Sequence, residues 1–241
     1  MDPQAPPRER AALVRAMFAR IVPRYDLMNR LMTAGQDVRW RRLAARLAWP
    51  RDALALDLAT GTGDLAIELR RQGARSVIGA DYCEPMLEAA ATKLTQGNLD
   101  RIKLVVADAL ALPFPDRSFD CVTSAFLLRN VVDLPGALAE MRRVLRPGGR
   151  VVSLELTRLQ PGLRARLFDS YFQGVVPRLG ALISGDSSAY RYLPASLDPF
   201  PDAERLASLF RDAGFTGVSY RLVGFGALAI HSGLREESRN P

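Results

Sequence analysis

Asp57-Leu58-Ala59-Thr60-Gly61-Thr62-Gly63-Asp64 joins an apolar run, 53–59, to a stretch of helical pattern that begins at Asp64. A strand that breaks at two closely spaced glycines and resumes as a helix reads as the first unit of a βαβ fold. Gly61 and Gly63 let the backbone turn sharply and come close to a ligand, and open α/β sheets bind ligands at this carboxyl end of their strands. The pattern repeats downstream. Apolar runs at 76–81, 102–107, 119–125 and 150–155 read as further strands, with amphipathic helices at 64–72, 84–94 and 134–145 between them. Pro147-Gly148-Gly149 is expected to stop the last of these helices.

Strands alternating with helices imply parallel crossovers and a sheet covered on both faces. The tail differs: a helix at 202–213 precedes two strands, 217–223 and 227–233, that flank Gly224-Phe225-Gly226. Such a pair predicts an antiparallel hairpin at the sheet edge. The expected fold is therefore α/β, a Rossmann-like, seven-stranded, mostly parallel sheet with an antiparallel C-terminal hairpin, the architecture of class I methyltransferases. Ahead of the first strand, Leu13, Met17 and Ile21 recur every four residues on one face of a helix, and 38–48 reads as a second helix. The 241 residues are one domain in this reading, with 1–50 as an N-terminal helical cap over the substrate. Residues 157–199 are too long for a simple connection and read as a lid insertion.

Composition narrows the function classes. Hydrophobic residues are 48% and charged residues 24%, a soluble globular profile without an uninterrupted apolar run of membrane-spanning length. Met1–Arg10 is proline-rich and charged, unlike a signal peptide. Cys83 and Cys121 stand apart and form no CxxC pair, which fits a reduced cytoplasmic protein without disulfide or metal framework. The net charge of +7 rests almost wholly on arginine, since Lys93 and Lys103 are the only lysines. An arginine-rich surface is either simply solvated or drawn to an anionic membrane face. No aromatic RNA-binding motif, zinc knuckle or lysine tract accompanies it, so nucleic acid is not expected as a partner.

Three carboxylates fall at the ligand edge. Asp57 ends the first strand, Asp81 the second and Asp108 the third. Asp81, 20 residues after Gly61, is placed to accept the hydroxyls of a ribose. Asp108 can accept from an adenine amino group, with small Ala109 leaving room for the ring. The spacing Gly61-x-Gly63-x-x-Ala66 also satisfies a loose dinucleotide fingerprint. Asp64 argues against that alternative, because a carboxylate in the first helical turn would oppose a pyrophosphate seated there. S-adenosylmethionine has no phosphate and carries a sulfonium cation. The expected cofactor-binding set is Asp57, Gly61, Thr62, Gly63, Asp81, Asp108 and Ala109, with S-adenosylhomocysteine as product and no metal.

Three other segments bear on the methyl acceptor. Tyr25-Asp26-Leu27-Met28-Asn29, continuing to Trp40-Arg41, precedes the first strand; Leu128-Arg129-Asn130-Val131 follows the fourth; and Arg143–Gly149, with Glu155 beyond it, leads into the fifth. With Pro177–Gly180 and Ser188–Leu193, they make the chain resemble the ubiquinone/menaquinone biosynthesis C-methyltransferase family from about Met17 to His231. The Tyr-Asp-x-Met-Asn segment is specific, whereas the Pro-Gly-Gly turn is common to many methyltransferases. Two positions depart from the family pattern: Asp37 stands where many members have His, and Ala125 stands where the ubiquinone branch has Ser, with Ser124 one place earlier. The second departure points to the menaquinone branch.

The resemblance implies methylation of a ring carbon of a prenylated quinol, demethylmenaquinol to menaquinol; the alternatives are the benzoquinol of ubiquinone biosynthesis or another small-molecule acceptor of a class I methyltransferase. Arg129 resembles the family's catalytic arginine, and Asn130 and Tyr25 join it as the expected catalytic residues. Arginine stays protonated, so Arg129 is expected to stabilise a phenolate, and a water held by Arg129, Asn130 and Tyr25 to take the proton. His231 is expected to be structural. Phe168, Tyr171, Phe172, Val175, Val176 and Leu179 recur at helical spacing in the insertion and offer an apolar groove for the prenyl tail. A peripheral association with the inner face of the membrane fits such a substrate, and a homodimer is compatible with the resemblance.

Overall fold

The computed structural model describes residues 7–159, 162, 166, 170, 171, 174, 178, 196, 197 and 200–237. Most of the lid insertion, and with it the groove residues other than Tyr171, lies outside the described residues. The chain runs α1 (Pro7–Ile21), a 3-10 turn (Val22–Arg24), α2 (Tyr25–Met32), α3 (Gln36–Leu47), β1 (Leu54–Leu58), α4 (Asp64–Arg71), β2 (Ser76–Asp81), α5 (Glu84–Gln96) and β3 (Ile102–Val106). It continues through β4 (Phe119–Ala125), α6 (Leu134–Val144), β5 (Leu145–Leu156), a helix here labelled α7 (Ala203–Asp212), β6 (Phe215–Val223) and β7 (Leu228–Arg235).

The seven strands lie in the order β3-β2-β1-β4-β5-β7-β6. Pairings from β3 to β5 are parallel, and β7 runs antiparallel to both β5 and β6. Alternating side chains feed two cores. Ala55, Val152 and Ile230 face Ala45, Leu65 and Leu69 of α3 and α4. Leu56, Val122 and Val151 face Leu138, Met141, Leu206 and Phe210 of α6 and α7. Burial on both faces is why the central strands β1, β4 and β5 read as apolar runs.

Two helices, α6 and α7, start at side-chain caps. Asp133 accepts from the Gly136 N–H to open α6, and Asp202 accepts from the Arg205 N–H to open α7. Three readings change. The Tyr25–Asn29 motif, unassigned in the sequence, opens the helix α2, with Met28 buried. Pro147-Gly148-Gly149 lies within β5, where pairing jumps from Phe119↔Leu145 to Cys121↔Arg150; α6 has already ended at Val144. Met17 and Ile21 are buried as the periodicity predicts, but Leu13 is exposed.

Strand order reverses between β1 and β4, so the crevice of the sheet opens beyond their carboxyl ends. Ala59 (φ 51°) and Phe126 (φ 63°) stand immediately after these two strands in the left-handed region. Such a conformation costs a non-glycine residue roughly 1–2 kcal/mol and tends to collect at functional sites. Here it turns two chain segments around one opening.

Candidate active site

A cavity of about 500 Å³ opens at this switch point, between the carboxyl ends of β1, β2, β3 and β4 and the N-terminal helices. Small-molecule sites typically span roughly 300–1,000 Å³. Gly61, Asp81, Asp108, Ala109, Tyr25 and Asn130 all line it, so one opening collects six of the ten residues picked out in the sequence. Apolar wall comes from Phe18, Leu110, Phe126, Leu127 and Val131. The sequence reading missed Phe18 and Phe126. Phe18 is one turn on from Val14, which also lines the cavity, and that i, i+4 pair was the available signal.

Asp81 holds the glycine turn. Its Oδ2 accepts from the Gly61 N–H at 2.8 Å and its Oδ1 from the Cys83 N–H at 2.8 Å. Burial raises the Asp81 carboxyl above its ordinary value against these two N–H donors. Asp108 accepts from the Leu110 N–H at 2.9 Å through Oδ1 and is exposed to the opening. Gly61 (φ +56°) passes beneath Tyr25, whose ring carbon is 4.0 Å from where a Cβ would stand; the two glycines are thus needed for conformation more than for space.

The remaining cofactor-set residues sit behind the turn. Asp57, Thr62 and Gly63 do not line the main cavity. Asp57 is buried under it and receives the hydroxyls of Thr60 at 2.7 Å and Thr123 at 2.8 Å. Burial pushes its carboxyl up to about 7 despite those two donors. Thr62 donates to Asp26 of α2 at 2.6 Å. Gly63 (φ +85°) caps α4. Asp57, Thr62, Arg41 and Asp64 line a small polar chamber of about 20 Å³, which shares Tyr25, Ala59, Gly61 and Ala125 with the main cavity.

Asp64 is committed to ion pairs rather than to a ligand. It meets Lys93 at 2.8 Å and Arg30 at 2.9 Å, while Lys93 also reaches Asp26 at 2.6 Å. Burial alone would raise the Asp64 carboxyl, but Arg41, Lys93 and Arg30 bring it below the ordinary range. The N-terminal cap is thereby tied to α4 and α5. Asp37, at the position where the family pattern has His, is buried and pairs with Arg30 and, at 2.6 Å, with Arg41.

Arg129 is not brought to the cavity. Its side chain is 4% exposed and pairs through Nη1 with Glu155 at 2.8 Å, while its Nε is buried without a partner among the described residues. Its guanidinium lies 5.2 Å from the Phe126 ring centre. A residue expected against the acceptor thus faces the interior, because Glu155 on β5 supplies its counter-charge there. Burial raises Glu155 above its ordinary value even with Arg129 beside it. Neighbouring Asn130 does line the cavity, with its amide donating to the Phe126 carbonyl at 2.8 Å. His231 is buried in β7, hydrogen-bonded through Nε2 to the Ala203 carbonyl at 2.8 Å and stacked on Phe210, and lines neither the cavity nor the chamber.

The donor set suits an adenosyl sulfonium. Carboxylates at the ends of β2 and β3 can receive hydroxyl and amino groups, and Asp64 opens α4 where a pyrophosphate would need unopposed N–H groups.

Comparison with known proteins agrees in kind. The family model described as the ubiE/COQ5 methyltransferase family matches residues 7–235. A protein of Thermus thermophilus named demethylmenaquinone methyltransferase is 50% identical, over 91% of this chain and 100% of its own. A Deinococcus radiodurans protein of the same name is 46% identical, over 94% of each. Among solved structures, a SAM-dependent methyltransferase of Thermotoga maritima shares the fold at a TM-score of 0.66 and 21% identity, over 92% of this chain and 100% of its own. The chain belongs to the ubiE/COQ5 methyltransferase family.

Proposed function

We propose that this protein methylates a ring carbon of a prenylated naphthoquinol, turning demethylmenaquinol into menaquinol with S-adenosylmethionine as methyl donor. The observation that carries the reading is the 50% identity, over its whole length, to a Thermus thermophilus protein named demethylmenaquinone methyltransferase. The cavity supports it, since its carboxylates suit a nucleoside and its aromatic wall suits an apolar ring.

Asp81, Asp108 and Ala109 would hold the adenosine, with Gly61 and Gly63 allowing close approach and Asp57 and Thr62 backing the turn. When bound, the cofactor supplies a methyl on a sulfonium, already electrophilic, so no covalent nucleophile is required. The protein's task is orientation, which can lower a barrier by several kcal/mol. Phe18, Phe126 and Val131 exclude water around the ring. Tyr25 and Asn130 are the polar groups that reach the acceptor and would hold the water that takes a proton from it. Arg129 acts one step back, as a positioning residue: with Glu155 it fixes the segment that carries Asn130.

The quinol's prenyl tail lives in a bilayer, while no helix among the described residues is long and apolar enough to cross one. Peripheral binding to an anionic membrane surface, favoured by the net charge of +7, would bring enzyme and substrate together.

The deciding experiment offers the purified protein reduced demethylmenaquinol and the reduced benzoquinol precursor of ubiquinone in parallel, with S-adenosylmethionine. Turnover of the naphthoquinol is expected. Preference for the benzoquinol would move the chain to the ubiquinone branch, and inertness toward both would refute the proposal.

A further inference from the structure

We infer that Arg41, carried on α3 of the N-terminal cap, anchors the α-carboxylate at the amino-acid end of the methyl donor. The inference rests on the cofactor reading above and adds a residue to it from outside the sheet edge.

The small chamber behind the glycine turn is the starting point. At about 20 Å³ it admits one small polar head and no ring. It is not closed off from the main cavity, because Tyr25, Ala59, Gly61 and Ala125 belong to both walls. A ligand whose nucleoside fills the main cavity beside Asp81 and Asp108 can therefore push one short charged end past Gly61. S-adenosylmethionine has one such end, a zwitterionic α-amino acid.

The chamber carries the matching charges. Arg41 and Asp57 line it together, close enough that the guanidinium acts on the carboxylate. Among the described residues, the one hydrogen bond of the Arg41 side chain runs from Nη1 to Asp37 at 2.6 Å. Its remaining donors keep a free edge of the planar fork, the geometry that grips a carboxylate with two parallel bonds. Asp37 on one side and the Phe126 ring, 5.7 Å from the guanidinium carbon, hold that fork in place before any ligand arrives. Asp57, which lines the same chamber and accepts from the Thr60 and Thr123 hydroxyls, offers a carboxyl that the ligand's ammonium would favour in its charged form.

The competing role for Arg41 is purely structural, tying α3 to α2 through Asp37. The two roles separate by calorimetry with three ligands: S-adenosylhomocysteine, its decarboxylated analogue, and 5′-methylthioadenosine, which lacks the whole amino-acid end. The wild type should bind S-adenosylhomocysteine roughly 20-fold or more tightly than the decarboxylated analogue, the worth of a charge-assisted pair. Arg41→Lys and Arg41→Gln should shrink that gap and leave 5′-methylthioadenosine affinity as in the wild type. A wild type with no such gap overturns the inference without any variant. Equal losses for all three ligands in folded variants, or none, overturn it as well. If the wild type binds none of the three, the cofactor reading itself falls.

Discussion

Arg129 Nη1 lies 2.8 Å from Glu155 Oε2, with side chains 4% and 0% exposed, and Glu155 Oε1 also accepts the Leu128 N–H at 2.6 Å. One carboxylate on β5 thus fastens both the backbone and the side chain of the segment that leads to Asn130. Removing one partner of a buried pair leaves the other charge uncompensated and costs about 3–5 kcal/mol, whereas replacing both by apolar groups costs far less. Arg129→Met should therefore lower stability in urea by that order, and Arg129→Met with Glu155→Leu should recover much of it.

The same pair predicts a kinetic signature. If Arg129 acts only through position, its loss lowers kcat at every pH, and alkaline buffer does not rescue Arg129→Met with reduced substrate. A rescue above about pH 9, where a phenol of pKa near 10 begins to ionise unaided, would put the guanidinium against the acceptor instead.

This arginine also marks where sequence reading stops. The centre of the sheet was legible because β1, β4 and β5 are largely buried apolar runs, and Gly61 and Gly63 punctuate the first of them locally. Asp81 and Asp108 were legible because strand ends are fixed once the strands are. Arg129 was placed by its motif, but a motif does not say which way a long side chain turns. That depends on Glu155, 26 residues away on another strand. Arg41 was named in the motif that runs to Trp40-Arg41, but its use was hidden for a related reason: only tertiary packing brings α3 against α4 and β5 and so puts Arg41 in the chamber behind the glycine turn.

Asp81 holds the glycine turn and, in the proposed function, also receives the ribose, and a pair of variants tests that second role. Asp81→Ala removes the acceptor for the ribose and for the Gly61 and Cys83 N–H groups alike, and should weaken S-adenosylmethionine by about 2 kcal/mol or more. Asp81→Asn keeps one oxygen for an N–H and should fall between. Calorimetry that returns wild-type affinity for Asp81→Ala would remove this carboxylate from the cofactor site.

Membrane association, if electrostatic, is set by salt. Each arginine near an anionic surface is worth about 1 kcal/mol, and the attraction dies within a Debye length, about 10 Å at 0.1 M salt. Co-sedimentation with vesicles rich in anionic lipid should therefore drop steeply between low and high salt and be absent with neutral vesicles. Binding indifferent to both would exclude the charge as its cause.

Two buried groups give the stability curve opposite slopes. Burial raises Asp57 to about 7, so the folded chain holds its proton where the unfolded chain has lost it. The contribution of Asp57 is complete below its unfolded value, near 4, and is lost as pH rises toward about 7. Burial lowers His231, so its contribution is present above the ordinary imidazole value of 6.5 and is lost as pH falls. On acidification below neutrality the two partly cancel. Asp57→Asn removes one side of the balance while leaving a polar partner for Thr60 and Thr123. The variant should lose stability on acidification more steeply than the wild type. The gap between the two curves, by denaturant unfolding without ligand, should change by a few kcal/mol between pH 4 and 7, on the order of 1.4 kcal/mol per pH unit at most. Other titrating groups are common to both proteins and drop out of the difference. A difference that stays flat across this range would mean that Asp57 is already ionised in the folded protein at low pH, with its charge carried by Arg41 and the two threonine hydroxyls.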